Sequence, residues 1–176
     1  MISSHDMQKK PKTNMRKIDN DGLLLCEMQA KVFELSGLEQ NTSSAVFIRR
    51  FMNSDVAKQL DNLTILQSNT QAPDILKLID EEYGKSEYGS VQYSLNELYW
   101  IGYIYRYYAY TYIKTSKQVY KIVKPKELRE LFLPYHTMDP AQAIDRILEA
   151  KGLVYADDYE EKRQFEIFKR IRETKT

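Results

Sequence analysis

Between Tyr99 and Tyr112 eight of fourteen residues are aromatic: Tyr99, Trp100, Tyr103, Tyr105, Tyr107, Tyr108, Tyr110 and Tyr112. A surface helix needs no such density of rings, so this stretch must be packed against much of the remaining chain. The alternating tyrosines, with Ile and Thr among them, favour a strand. A helix is favoured more strongly. Ser94 and Glu97 form an S-x-x-E capping box directly before the run, no turn residues interrupt it, and its length of roughly twenty residues exceeds an ordinary strand. In helical register Leu98, Ile101, Tyr105, Tyr108 and Tyr112 fall on one side, and Tyr99, Tyr103, Arg106, Tyr110 and Ile113 on another. Both sides are apolar or amphipathic, which predicts a central helix buried around most of its circumference. Gly102 and Ala109, seven residues apart, would let a neighbouring helix approach closely.

The flanking sequence predicts an all-α chain, a compact multi-helix domain of about seven helices around this tyrosine-rich one. The five prolines and most of the six glycines of the chain fall between periodic segments, as long helices require. Residues 1–20 carry Lys9, Lys10, Lys12, Arg16 and Lys17 with little apolar content and are expected to form a flexible basic arm, leaving 21–176 as a single helical domain. Leu25, Met28, Val32 and Leu35 predict a helix over 21–36, with Gly37 as its left-handed stop. Phe47, Ile48, Phe51 and Met52 predict a second helix that can break at Asn53-Ser54. Leu63 to Leu66 are expected to dock as an extended segment. Pro73 opens a third helix that ends at Gly84. After the aromatic helix, Ser116 is placed as the cap of a short helix, Pro125 opens the next and Pro134 closes it. Tyr135 to Met138 form a connector, Asp139-Pro140 starts a helix that stops at Gly152, and an amphipathic helix over 157–172 ends the chain.

No familiar catalytic or metal-binding pattern stands in this sequence. Nucleophilic catalysis needs a base beside Ser, Cys or Thr, and His136 is the one histidine beyond the N-terminal arm. Neither a Walker-type nor a dinucleotide-binding glycine pattern precedes any helix, and no ordered set of His, Cys or carboxylate ligands is present. The reading is non-enzymatic, with no cofactor and no metal. A lone cysteine, Cys26, is expected in the core and excludes an internal disulfide. Leu98 to Ile113 is too short and too polar to span a bilayer, and with no secretory signal the expected compartment is the cytoplasm.

Two kinds of binding remain. Tyr, Trp and Arg dominate interface hot spots, and the first half of the central helix concentrates them, which makes Tyr99, Trp100, Tyr103, Arg106 and Tyr107, with the connector residues Tyr135 and His136, the expected partner-binding surface. The alternative is a DNA- or RNA-binding regulator. Residues 101–132 hold seven basic and two acidic side chains, and Lys114, Lys117, Lys121, Lys124, Lys126 and Arg129 lie on two short helices that would imitate a helix-turn-helix.

From Leu98 to about Leu148 the order of features is also informative. The aromatic segment Tyr103 to Tyr107 is followed by Ser116 with Val119 and Tyr120, then Leu128, then the connector Tyr135-His136-Thr137, and then Ile144 and Ile147. This order resembles a small bacterial domain of unknown function found beside ADP-ribosyltransferase-like toxin genes. The chain departs from it in having Val123 where that domain has an aromatic residue, Tyr135 where it has leucine, and a long helical N-terminal half. The resemblance implies an antitoxin-like protein of a toxin-antitoxin system: a non-catalytic module that binds and restrains a toxin enzyme, its cognate protein partner.

Overall fold

The computed structural model describes residues 15–153 and 156–173. Among these residues there are nine α-helices, one short 3-10 turn and no strand, so the all-α class holds and the helix count exceeds seven. The helices are α1 (Asn20–Glu39), α2 (Ser44–Met52), α3 (Asp55–Asp61), α4 (Ala72–Tyr83), α5 (Leu95–Thr111), α6 (Ser116–Ile122), α7 (Pro125–Tyr135), α8 (Pro140–Ala150) and α9 (Ala156–Glu173). The additional count comes partly from Ser54, whose hydroxyl accepts the Ala57 N–H and starts α3 directly after α2 ends. Residues 1–14 of the expected arm lie outside the described residues. Residues just after them are engaged: the Arg16 N–H donates to the Thr111 carbonyl, and the Asp19 carboxylate caps α1 by accepting the Gly22 N–H at 2.8 Å.

One compact unit runs from Met15 to Ile144, and its centre is the pairing of α1 with α5. Leu25, Cys26, Ala30 and Phe33 of α1 have no solvent exposure, and Leu98, Ile101, Tyr105 and Tyr108 of α5 are equally well covered. Burial on this scale contributes about 1.5–3 kcal/mol per large apolar side chain, which far exceeds any helix propensity term. The helices meet at Gly102. A methyl group there would stand 2.9 Å from the Gln29 carbonyl oxygen and 3.0 Å from the Ala30 Cα, distances no alanine could adopt without moving backbone. Phe47 and Phe51 of α2 then close on Phe33, edge to face at 5.8 and 5.0 Å between ring centres. The capping box of α5 forms as its spacing demands, with Ser94 Oγ accepting the Glu97 N–H at 3.1 Å and Glu97 accepting the Ser94 N–H at 3.0 Å.

Four local expectations are corrected. Gly37 is not a helix stop, because α1 continues to Glu39; it is small because Leu98 and Leu95 press on it, within 2.9 Å of where a Cβ would stand. Residues 64–67 form a 3-10 turn that buries Ile65, not an extended segment. Thr115, not Ser116, caps α6, since Ser116 is occupied by Asp61. Pro134 lies inside α7 rather than ending it. It falls in the last turn, where a missing N–H leaves only one carbonyl without its helical donor, and the His136 N–H still reaches the Phe132 carbonyl at 2.9 Å.

The start of α2 is held from a distance. Ser43 offers no side-chain cap; instead the connection between α4 and α5 folds over this end. Tyr88 and Val91 carbonyls accept the Ser43 and Ser44 N–H groups at 3.0 and 3.1 Å, and the Tyr93 N–H returns a bond to Ser44 Oγ at 2.9 Å. Gly89, at φ +82°, lies so close to Ser43 that a side chain could not replace its hydrogen.

The second unit contains the residues from Asp145 onward, including the last turns of α8 and all of α9. In α9 Phe165 and Phe168 are exposed, so these rings of the expected amphipathic helix face solvent.

Candidate functional site

One side of α5 is not fully covered, and there the chain forms an open cleft of about 550 Å³. Tyr99, Trp100 and Tyr103 line it from α5, with Asn96 one turn earlier; Phe132, Leu133 and His136 line it from the end of α7, and Glu34 from α1. The walls support one another. Trp100 meets Phe132 edge to face at 5.9 Å, Phe132 stacks under the His136 ring at 4.5 Å, and Tyr103 stacks on the buried Tyr107 at 6.4 Å. His136 Nδ1 lies 2.8 Å from the Phe132 carbonyl oxygen. A carbonyl can only accept, so Nδ1 is the donor in this contact. The passage of α7 through Pro134 places His136 one turn beyond Phe132 and makes this stack possible. Leu133 forms an apolar lip that is 80% exposed.

Negative charge acts on the tyrosines of the cleft. Partial burial, reinforced by the negative charges of Glu27 and Glu34, raises the Tyr99 hydroxyl above its ordinary range. Tyr103 is pushed up to about 12, chiefly by desolvation, with Cys26 and Glu27 adding to it. No basic side chain acts against either shift.

Of the residues expected to bind a partner, Tyr99, Trp100, Tyr103 and His136 converge on this cleft. Tyr107 lies beneath it, and Tyr135 is half-buried outside its lining. Arg106 is not at the surface at all, being only 1% exposed. It anchors a core network: Nε donates to Gln29 Oε1 at 2.8 Å, one terminal nitrogen to Asp61 at 2.7 Å and the other to Ser116 Oγ at 2.6 Å. Sequence reasoning missed Phe132, Leu133, Glu34 and Asn96. The signal for two of them was present, since Leu128, Leu131, Phe132 and Leu133 are more apolar residues than one face of a short helix can bury.

The basic segment is divided in its use. Lys117, Lys121, Lys124 and Lys126 are exposed, whereas Lys114 is half-buried. Lys124 lies over the Tyr120 ring at 4.1 Å. Arg129 pairs with Glu97 at 3.1 Å and covers the Tyr93 ring at 4.5 Å, so it is a structural clamp between α7 and the start of α5. Glu127 and Glu130 accompany the basic residues on α7, which dilutes the positive field a helix-turn-helix would present.

Cys26 is fully buried, and burial pushes its thiol up to about 12, far from nucleophilic. Among the described residues no three His, Cys, Asp or Glu side chains cluster to hold a metal ion, and no helix is long and apolar enough to cross a membrane. No family model, curated protein or solved structure matches this chain.

Proposed function

We propose that this chain is a non-catalytic protein-binding module whose aromatic cleft receives a segment of a partner protein. The observation that carries the reading is the convergence of Tyr99, Trp100, Tyr103, Phe132 and His136 on one open cleft, with Leu133 80% exposed at its lip. Rigid aromatic walls with an unburied apolar lip are what a hot-spot pocket presents before its partner arrives. The resemblance of residues 98–148 to the toxin-associated domain supports the narrower reading that the partner is a toxin enzyme, which the module restrains in an antitoxin-like manner. Co-expression with the product of the adjacent gene tests it. The complex is expected to co-purify with the native chain and to be lost with Leu133→Asp and with Tyr99→Ala, while Lys117→Glu/Lys121→Glu retains it. Failure of every neighbouring gene product to bind would overturn the proposal.

The exposure of Lys117, Lys121, Lys124 and Lys126 supports a second reading, DNA or RNA binding. A mobility shift that weakens steeply with salt and disappears in Lys117→Glu/Lys121→Glu would favour it; the absence of any shift at low salt would dismiss it.

A further inference from the structure

Among the described residues three arginines lie over a tyrosine ring with a carboxylate nearby. Arg16 lies 4.4 Å over Tyr110, whose hydroxyl donates to Asp19 at 2.6 Å. Arg129 covers Tyr93 at 4.5 Å and pairs with Glu97 at 3.1 Å. Arg50 stands 5.5 Å over Tyr83, which also feels the charge of Glu82. A flat guanidinium is attracted to the ring face, and in one of the three cases, Arg129, it also makes an ion pair with the neighbouring carboxylate.

The cleft repeats this arrangement without the arginine. The half-buried rings of Tyr99 and Tyr103 line it beside Trp100, which is 9% exposed, Glu34 supplies a half-buried carboxylate in the lining, and Glu27 adds its charge to the same field. Glu34 makes no ion pair among the described residues. Lys31, one turn away on α1, is exposed and is not part of the lining. Two kinds of polar group in the cleft can accept hydrogen bonds: Asn96 through its carbonyl, and the tyrosines through their hydroxyl oxygens. A volume of about 550 Å³ is ample for one long side chain and its flanking backbone.

We propose that the cleft is an arginine receptor: the partner protein inserts one arginine side chain, stacking its guanidinium on the Tyr99 and Trp100 walls and pairing it with Glu34. This inference rests on the protein-binding reading and specifies what the partner must present. Arginine is favoured over lysine because stacking and a fork–carboxylate contact both use the planar group, and an ammonium is more strongly hydrated.

Trp100 is the only tryptophan in the chain, so its fluorescence reports the cleft directly. The full-length protein is titrated with N-acetyl-arginine methylamide and, separately, with the citrulline and norleucine analogues. A saturable change with the arginine compound, at least tenfold weaker with citrulline, is expected. Glu34→Gln should weaken the arginine compound at least threefold and leave norleucine unaffected; Tyr99→Leu, which preserves apolar volume but removes the ring, should weaken arginine alone. Equal binding of arginine and citrulline, or tighter binding of norleucine, would overturn the arginine assignment while leaving an apolar partner segment in place. No saturable change with any compound would also overturn it, and the co-purification experiment would then decide the protein-binding reading independently.

Discussion

Arg106 and Asp61, forty-five residues apart, are joined at 2.7 Å with the guanidinium 1% and the carboxylate 12% exposed. Ser116 completes the arrangement by giving both its backbone N–H and its hydroxyl to Asp61, at 3.0 and 2.7 Å. A single polar node therefore links α1, α3, α5 and α6. A buried pair of this kind is costly to break and cheap to replace, because removing one partner strands the other charge. Arg106→Met is expected to destabilise the fold by about 3–5 kcal/mol, and Arg106→Met with Asp61→Leu by considerably less. Urea denaturation of the two variants measures the difference; equal losses would mean that the charges do not act as a pair.

Two of the three helical glycines at the α1–α5 contact, Gly102 and Gly37, separate a backbone constraint from a side-chain one. At Gly102 the added methyl meets the Gln29 carbonyl and the Ala30 Cα, whereas at Gly37 it meets only the terminal methyls of Leu98 and Leu95. Gly102→Ala should lower stability by roughly 1–3 kcal/mol. Gly37→Ala should come out near neutral, since a helix propensity gain of about 1 kcal/mol offsets the leucine adjustment. A larger loss for Gly37→Ala in thermal unfolding would contradict the packing described.

Ile113 ends α5 at φ +49°, in the left-handed region that β-branched residues avoid. The conformation persists because it completes the helix end: the Lys114 N–H reaches back to the Ala109 carbonyl at 2.9 Å. The side chain is 53% exposed, so little packing is lost by removing it. Ile113→Gly is expected to stabilise the protein by about 1 kcal/mol, visible as a raised denaturation midpoint with an unchanged slope. A destabilised variant would show that Ile113 contributes packing that outweighs the strain.

Glu97 couples acid titration to the start of the aromatic helix. Partial burial opposes its ionisation, but the Ser94 backbone N–H and hydroxyl, together with Arg129, outweigh that and hold the carboxyl below its usual value of 4.5. The folded state thus favours the carboxylate. Its contribution is complete above the unfolded value and is lost as the pH falls through the lower, folded one. Glu97→Gln should lower stability at pH 7 by about 1 kcal/mol or less, given the partly exposed setting, and should decline less steeply than the native chain below pH ~4.5. Parallel pH profiles for the two proteins would contradict this.

How legible the fold was depended on how local the cause was. The start of α5 was readable because Ser94 and Glu97 are three residues apart and the geometry they form is fixed by that spacing. Arg106 was not, because its partners Gln29, Asp61 and Ser116 are brought to it only by the packing of three other helices; among tyrosines its sequence context suggested an interface. Gly37 shows a different difficulty: a glycine that ends a helix and a glycine that admits a neighbour leave the same mark in a sequence. The cleft was half legible. Its α5 wall and His136 were recognised as a cluster of interface-type residues, whereas Phe132 and Leu133 were not joined to it, because the sequence places Pro134 as the end of α7 and does not show that the helix passes through it and leaves its last turn uncovered.

The segment between α4 and α5 is mostly solvent-exposed and contains two glycines, and it separates two well-formed halves of the helical unit. It would be the natural choice for cutting the chain into fragments or inserting a tag. Yet the carbonyls of Tyr88 and Val91 receive the first amides of α2. A nick there would detach the cap of a helix that begins more than forty residues earlier, so damage to this loop would register in Phe47 and Phe51 before it reached the helices on either side of the cut.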